Sequence, residues 1–342
     1  MASTTETEVG RRDVERELSE LRRCRQELGE QFARVIVGQK DVLDELLITV
    51  FAGGHNLLEG VPGLAKTLMI NTLAGLLSLD FKRIQFTPDL MPSDIVGTNV
   101  IEEDHTTGKR VTVFIPGPVF TNIVLADEIN RTPPKTQAAL LQAMQEKEVT
   151  AGGKTYELSR PFFVLATQNP IDQEGTYPLP EAQKDRFLLN TMIGYPDAAD
   201  EESIVERTTM NEEPEVSSVC DQQQLLAFQR LVRSIPVSRH VTGYAVDLAR
   251  STRPQDEHAP AWVRQQVGWG AGPRASQNLI LSAKTAAALA GRANVSCQDV
   301  ARMALPVLRH RIMPSFAAEA EGVTTDTIIK RLLAEVPERT AS

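Results

Sequence analysis

The stretch HNLLEGVPGLAKTLMINTLAGLLSL, residues 55–79, is the most informative part of this 342-residue chain. Its first part, HNLLEG, is typical of a short buried strand, and its last part places leucines at helical spacing. Between them, GVPGLAKT comes close to the pattern G-x-x-x-x-G-K-[ST], whose backbone amides wrap phosphates. A strand, a glycine-bearing loop and a helix in this order predict an anion site at the helix N-terminus. The alternative is an ordinary tight turn with an exposed lysine.

Ala65 stands where the phosphate-loop pattern has its second glycine. Glycine is needed where φ is positive or where the backbone must touch the ligand. Alanine favours helices, so it is tolerable here if Ala65 already has the helical dihedrals of the helix that begins there. On that condition the loop still binds phosphates, Lys66 reaches the terminal ones and the Thr67 hydroxyl ligates magnesium.

A second candidate segment is IVLADEINR, residues 123–131, an apolar run that ends in two acids. Carboxylates at the carboxyl end of a buried parallel strand emerge at the sheet edge where ligands bind. Asp127 is predicted to hold magnesium, directly or through water, and Glu128 to activate the attacking water. The alternative is that the two acids cap the helix that follows.

Three further polar residues are candidates for the same chemistry. Asn169 ends the apolar run PFFVLATQNP and could orient a water, although it could equally be a turn residue before proline. Arg186 is predicted on a short helix and suits a transferring phosphoryl group, with a surface ion pair as the alternative. Arg274 is predicted in the first turn of a helix, where its charge opposes the helix dipole and therefore indicates a nearby anion.

The segments are organised as an α/β domain followed by helices. Residues 1–30 are expected to form an N-terminal helical arm, and residues 31–196 alternate between helices and apolar strands, which favours a mostly parallel sheet flanked by helices. No strand is predicted after Pro196, so residues 197–342 are expected to form an all-helical domain. Two hairpins are predicted within the α/β domain, one turning at TTGK (residues 106–109) and one at Gly152 and Gly153.

Composition excludes several other classes of protein. The net charge of −9 argues against a nucleic-acid surface, which would be basic. The chain has three cysteines far apart in sequence, which predicts neither a disulfide framework nor a zinc site and favours a reducing compartment. No apolar run is long enough to span a membrane and the N-terminus is polar, so a cytoplasmic protein is expected.

Taken together, VIVGQ, GVPGLAKT, ADEINR, ATQNP, LPEAQKDRF and GAGPRA resemble the MoxR family of AAA+ ATPases in content and order. The resemblance covers nearly the whole chain after about residue 30. It implies a P-loop NTPase domain of the AAA+ type, a helical lid domain, and ATP and Mg²⁺ as ligands. The nucleotide-binding residues that it implies are Val37, Gly38, Gly60, Val61, Pro62, Gly63, Leu64, Ala65, Lys66, Thr67, Leu68, Asp127 and Arg274.

The resemblance also implies catalytic roles. Lys66 contacts the β- and γ-phosphates, Thr67 and Asp127 bind magnesium, and Glu128 is the catalytic base. Asn169 is the first sensor, and Arg274 is the second sensor, which reaches from the lid into the site of the same subunit. Arg186 is an arginine finger for the neighbouring subunit's nucleotide.

Partners follow only from the resemblance. It implies a ring homo-oligomer, expected to be a hexamer, that remodels or matures a client protein, including by metal or cofactor insertion, beside a protein with a von Willebrand factor A domain. Two other hypotheses remain open. One is a ring that acts on DNA, and the other is a nucleotide-dependent switch whose hydrolysis is too slow to matter.

Overall fold

The structure of the chain is a computed structural model. It describes residues 2–103, 109–170, 175–209 and 214–340, with side chains from Asp13 onward. The strands are β1 (Asn56–Glu59), β2 (Phe81–Gln85), β3 (Gly97–Glu103), β4 (Arg110–Pro116), β5 (Ile123–Asp127), β6 (Glu148–Ala151), β7 (Lys154–Glu157), β8 (Phe163–Gln168), β9 (Leu189–Met192), β10 (Val267–Trp269) and β11 (Met313–Pro314).

The helices alternate with the strands in the first part of the chain and dominate the second. They are α1 (Ala2–Val35), α2 (Lys40–Ala52), α3 (Lys66–Leu76), α4 (Pro92–Val96), α5 (Pro134–Glu146), α6 (Glu181–Lys184), α7 (Ala198–Thr208), α8 (Gln222–Ser234), α9 (Arg239–Ser251), α10 (Val263–Gln266), α11 (Pro273–Leu289), α12 (Cys297–Leu308), α13 (Phe316–Ala320) and α14 (Thr325–Glu335). Two 3₁₀ turns cover Ile129–Arg131 and Arg309–Arg311. No described helix is long and apolar enough to cross a membrane.

Five parallel strands form the central sheet in the order β2-β5-β8-β1-β9. The inner strands are buried on both faces, which is why they are continuous apolar runs in the sequence. One face packs against α2, α3 and the helices of the second half, and the other packs against α4 and α5. The predicted parallel sheet flanked by helices is therefore confirmed.

The N-terminal helix α1 packs along the body of the protein. Its buried residues Leu18, Leu21, Leu28 and Phe32 recur at helical spacing and lie against α3, α8 and α11. The helix continues to Val35, so it extends beyond the arm predicted to end at residue 30.

The second half is helical apart from one small element that the sequence prediction missed. Strands β10 and β11 pair antiparallel, so the prediction of no strand after Pro196 was wrong. They have three and two residues, too few for an alternating pattern to be recognised in the sequence.

Both predicted hairpins are present. Strands β3 and β4 pair over seven residues each, although most of the turn predicted at TTGK lies outside the described residues. Strands β6 and β7 turn at Gly152 and Gly153, which both have positive φ as predicted. The two hairpins are joined where the ring of Phe114 stacks on that of Tyr156, with centroids 4.2 Å apart.

Candidate functional site

The loop after β1 leaves the sheet through a tight gap that only glycine fits. Gly60 donates its N–H to the carbonyl of Gln168 at 3.3 Å, and a Cβ at Gly60 would lie 2.7 Å from the carbonyl oxygen of Ile193. The backbone of this loop is therefore held between the carboxyl ends of β8 and β9.

The loop then turns through two residues with positive φ. Gly63 has φ +87°, and Ala65 has φ +53° and ψ +24° directly before α3. The expectation that Ala65 has helical dihedrals was therefore wrong. Ala65 is a left-handed residue directly before α3 and does not form a further residue of that helix. An L-residue in that region costs roughly 1–2 kcal/mol. This strain is held in the loop at the N-terminus of α3.

Lys66 is the first residue of α3 and folds over its own loop. Its Nζ donates to the carbonyl oxygens of Gly60 and Val61, the latter at 2.9 Å. Burial lowers the pKa of Lys66, while the nearby charges of Asp127 and Glu128 oppose that shift. The lysine therefore lies within electrostatic reach of both acids that the sequence assigned to the same site.

Asp127 ends β5 and is almost completely buried. Its Oδ1 accepts a hydrogen bond from the Thr167 hydroxyl at 2.6 Å. Its Oδ2 accepts two from Arg83, from Nε at 3.1 Å and from Nη2 at 2.6 Å. Both carboxylate oxygens therefore have protein partners in this structure.

Glu128 follows with a left-handed backbone, φ +56°. Its N–H donates to the Thr167 hydroxyl at 2.8 Å, so that one hydroxyl connects the two acids. Its Oε2 accepts from Gln85 Nε2 at 3.0 Å and pairs with Arg131 Nε at 3.0 Å. The Glu128 side chain makes no capping hydrogen bond to the 3₁₀ turn, which argues against the capping alternative.

Asn169 follows β8 directly, and β8 lies between β5 and β1 in the sheet. Because carboxyl ends of parallel strands meet at one edge, the strand order places Asn169 between the acids and the phosphate loop. It is half-buried. We call this edge, with residues 60–67, 127–128 and 169, the carboxyl edge.

The segment predicted beside the adenine lies next to the carboxyl edge. Gln39, which follows Val37 and Gly38, donates from Nε2 to the carbonyl of Gly194 at 3.0 Å, just beyond the end of β9. Gly38 has φ +66°, and a Cβ there would collide with the Asp200 carboxylate. The segment is therefore fitted closely between β9 and α7.

Thr67 and Asp127 suit the metal that the sequence predicts. Thr67 is half-buried in the first turn of α3, and Asp127 is a buried carboxylate. Both supply hard oxygens, and magnesium is usually held by one or two such protein ligands together with phosphate oxygens and water. This donor set fits a magnesium ion that shares its coordination shell with a nucleotide.

Arg186 lies in the turn after α6 rather than on that helix as predicted, because α6 ends at Lys184. Its Nη1 donates to the carbonyl of Leu141 at 2.6 Å. Leu188, two residues later, donates its N–H to the carbonyl of His55. Leu188 directly precedes β9, and His55 directly precedes β1. Arg186 is therefore beyond the amino-terminal ends of these strands.

Arg274 is in the first turn of α11, as predicted, and an anion does lie opposite it. That anion is Asp185, whose Oδ2 is 3.2 Å from Arg274 Nη1, while its Oδ1 is 2.8 Å from Nε of the buried Arg311. We call Asp185, Arg186, Arg274 and Arg311 the arginine edge. It is separated from the phosphate loop by the length of β1, about 10 Å.

The sequence analysis placed Arg274 in the site of its own subunit, but in this structure Arg274 pairs with Asp185 at the arginine edge. The first turn of α11 contacts Asp185, which precedes the amino-terminal end of β9, whereas the phosphate loop follows the carboxyl end of β1, the parallel neighbour of β9. Sequence reasoning fixed the helix that carries Arg274 but could not fix the sheet edge that this helix faces.

Several residues of the site were not predicted. They are Arg83, Gln85, Thr167, Asp185 and Arg311. Arg83 and Gln85 alternate with the buried Ile84 on β2, which is a signal that could have been read. Contacts to β5 depend on the strand order, however, and a single sequence does not give that order.

Two protein families match parts of the sequence. Residues 55–189 match the ATPase family associated with various cellular activities (AAA), and residues 260–332 match the AAA lid domain. The first match covers the five sheet strands except for most of β9, together with the phosphate loop and both acids. The second contains Arg274.

Several proteins are similar over most of their length. Chaperone MoxR1 of Mycobacterium tuberculosis is 41% identical, over 89% of this chain and 79% of its own. The uncharacterised protein YeaC of Bacillus subtilis is 40% identical, over 90% and 92%. Protein MoxR of Paracoccus denitrificans is 30% identical, over 83% and 87%. A crystal structure of a candidate ATPase from Cytophaga hutchinsonii superposes with a TM-score of 0.88 at 42% identity, over 96% of this chain and 99% of that one.

Proposed function

The chain belongs to the MoxR family of AAA+ ATPases, and from that premise we propose that it hydrolyses ATP within a ring to remodel a client protein. The observation that carries the proposal is the convergence of the phosphate loop, Lys66, Asp127, Glu128 and Asn169 at the carboxyl edge. Three separate strands deliver these groups to one place, as phosphoryl transfer requires.

Each residue of the carboxyl edge has a proposed task. The loop amides and the N-terminus of α3 would bind the phosphates, and Lys66 would exchange its two carbonyl partners for the β- and γ-phosphates. Asp127 and Thr67 would hold magnesium, which neutralises the charge on the phosphates when bound. Glu128 would take a proton from the attacking water, and Asn169 would orient that water.

The position of the arginine edge is the reason to propose a ring. A charge-stabilising arginine must reach the transferring phosphoryl group, yet Arg186 and Arg274 lie at the opposite edge from the phosphate loop of their own chain. In a ring of head-to-tail contacts, the arginine edge of one subunit faces a different surface of the next. We propose that both arginines serve the neighbour's nucleotide, and a hexamer is the ring we expect.

The client-directed role is proposed from the relatives. One relative is named a chaperone, and the joined hairpins β3-β4 and β6-β7 would provide a surface for a client. The cytoplasm as the location, metal or cofactor insertion as the task, and a partner with a von Willebrand factor A domain remain proposals of the same kind.

ATP hydrolysis measured against protein concentration tests the proposal. We expect turnover per subunit to rise as sedimentation shows assembly, and to be lost in Glu128→Gln. Glu146→Gln, which changes an acid at the end of α5, is the matched control and should hydrolyse ATP normally. Concentration-independent hydrolysis by a monomer would contradict the ring. The same turnover in Glu128→Gln as in the wild type would instead support a nucleotide-dependent switch whose hydrolysis is too slow to matter.

A further inference from the structure

Arg83 sits on β2, the edge strand next to β5, and reaches across to the acid that ends β5. In the register of the two strands Arg83 lies opposite Leu125, two residues before Asp127. Its Nε and Nη2 both donate to Asp127 Oδ2, at 3.1 and 2.6 Å, and Nη2 also donates to Gln85 Oε1 at 2.7 Å. The guanidinium therefore has two side-chain acceptors, Asp127 and Gln85.

The contact with Arg83 compensates the negative charge of the buried Asp127 carboxylate. Asp127 is 9% exposed, and a carboxylate at such a position requires a compensating partner. Thr167 satisfies Oδ1, and Arg83 satisfies Oδ2. An arginine donor cannot share one lone-pair direction of Oδ2 with a magnesium ion or with a water that the ion holds, so magnesium at this oxygen would compete with Arg83.

We propose that Arg83 is a positioning residue that competes with magnesium for Oδ2 of Asp127 and is displaced when the metal binds together with a nucleotide. The proposal rests on the proposed function, since it assigns Asp127 to the metal. It adds a residue outside the phosphate loop that sets how much magnesium the site requires.

The exposure of Arg83 makes this exchange feasible. Its side chain is 48% exposed, whereas that of Asp127 is 13% exposed, so the arginine can swing into solvent while the acid stays in place. A pair with one solvated partner is only modestly stable, so magnesium can compete with it. A nucleotide without magnesium leaves the pair intact.

Binding of a fluorescent ADP analogue over a series of Mg²⁺ concentrations tests the proposal in the full-length chain. Magnesium should increase the affinity for the analogue, and the midpoint of this increase gives the Mg²⁺ concentration that the site requires. We expect this midpoint concentration to be at least about threefold lower in Arg83→Gln than in the wild type. The affinity for the analogue without Mg²⁺ should stay unchanged. Arg83→Lys, which keeps the charge but loses the planar fork, should fall between the wild type and Arg83→Gln.

Lys82→Gln is the matched control, because Lys82 is an exposed cation on the same strand. It removes the same charge without touching Asp127 and should leave the Mg²⁺ requirement unchanged. If Arg83→Gln fails to fold, Arg83→Lys carries the test alone.

Two results would overturn the proposal. One is an Mg²⁺ requirement that is the same in the wild type and in the Arg83 variants. The other is weaker binding of the analogue without Mg²⁺, which would mean that Arg83 contacts the nucleotide itself. A wild-type chain that binds no analogue under any condition would instead refute the proposed function.

Discussion

The carboxyl edge and the arginine edge differ in what holds their charged groups. At the carboxyl edge, Lys66 is held by carbonyl oxygens of its own loop and Asp127 by Arg83 and Thr167. At the arginine edge, Arg274 and the buried Arg311 share the carboxylate of Asp185 across the boundary between the sheet and the helical half. The first set comes from the α/β domain alone, and the second set joins the α/β domain to the helical half.

Under the proposed function, one chain carries only part of the site for hydrolysis. The carboxyl edge has a phosphate-binding loop and acids, but its own Arg186 and Arg274 are at the other end of the sheet. The account therefore requires two chains for hydrolysis and only one for nucleotide binding. Variants that separate nucleotide binding from hydrolysis therefore test whether the two edges have different roles.

The largest effect is expected at the carboxyl edge. Lys66→Ala should abolish nucleotide binding, because the phosphates lose a charge-assisted contact that no other residue of the loop replaces. Titration with a fluorescent ATP analogue measures it. Lys82→Ala, an exposed lysine on β2, is the control and should bind normally. Unchanged affinity in Lys66→Ala would refute the assignment of the loop.

At the arginine edge, Arg186→Ala should leave nucleotide binding nearly intact and lower hydrolysis by about 10³-fold, as loss of an arginine finger does. Steady-state ATPase assays and the same titration measure the two quantities. Arg186→Lys should restore little activity, because an ammonium lacks the planar fork. A loss of binding equal to the loss of hydrolysis would place Arg186 in its own chain's site.

Acid should weaken the end of the sheet that carries the arginine edge. Burial lowers the pKa of His55 to about 4, and its Nδ1 accepts the N–H of Val164 at 2.9 Å, which requires the neutral ring. Between pH 6.5 and 4, His55 binds a proton in the unfolded chain but not in the folded chain. The free energy of unfolding should therefore fall with decreasing pH, by up to about 3 kcal/mol from this residue.

Urea unfolding at a series of pH values measures this loss. His310, buried against the carbonyl of Phe187, has its pKa lowered by burial as well and should add to the slope. His55→Gln should reduce the slope, and His240→Gln, a less buried histidine on α9, should not. The same slope in His55→Gln as in the wild type would contradict the account.

The smallest effect is expected at Ala65. Ala65→Gly should relieve the left-handed strain, and after the entropic cost of glycine it should raise the free energy of unfolding by about 0.5–1 kcal/mol. Urea unfolding measures it, and nucleotide affinity should not change. Ala317→Gly, at an exposed helical position in α13, should lower stability by a similar amount. A loss of stability in Ala65→Gly would argue against the left-handed conformation.

The sequence predicted those parts of the molecule whose signal is local. The phosphate loop, the acids after β5 and Asn169 after β8 each follow an apolar run directly, so the parallel sheet brings them to one edge. The helix that carries Arg274 was predicted for the same reason, because GAGP marks its start.

The parts that were missed depend on tertiary packing. Whether Ala65 is helical or left-handed depends on how the loop joins α3, and the propensity of alanine gave the wrong answer. The partner of Arg274 depends on how the helical half packs on β9, and the Arg83–Asp127 pair depends on which strand neighbours β5. None of these is encoded within one segment of the chain.

Mixing two inactive variants tests the shared site most directly. A Lys66→Ala subunit keeps both arginines but binds no nucleotide, and an Arg186→Ala subunit binds nucleotide but lacks one arginine. If hydrolysis requires one edge from each of two chains, an interface is active only where an Arg186→Ala subunit supplies the carboxyl edge and a Lys66→Ala subunit supplies the arginine edge. With the two variants in equal amounts and at random positions, roughly a quarter of the head-to-tail interfaces should be active. Activity that stays at the sum of the two variants, while sedimentation shows mixed assemblies, would contradict a site shared between subunits.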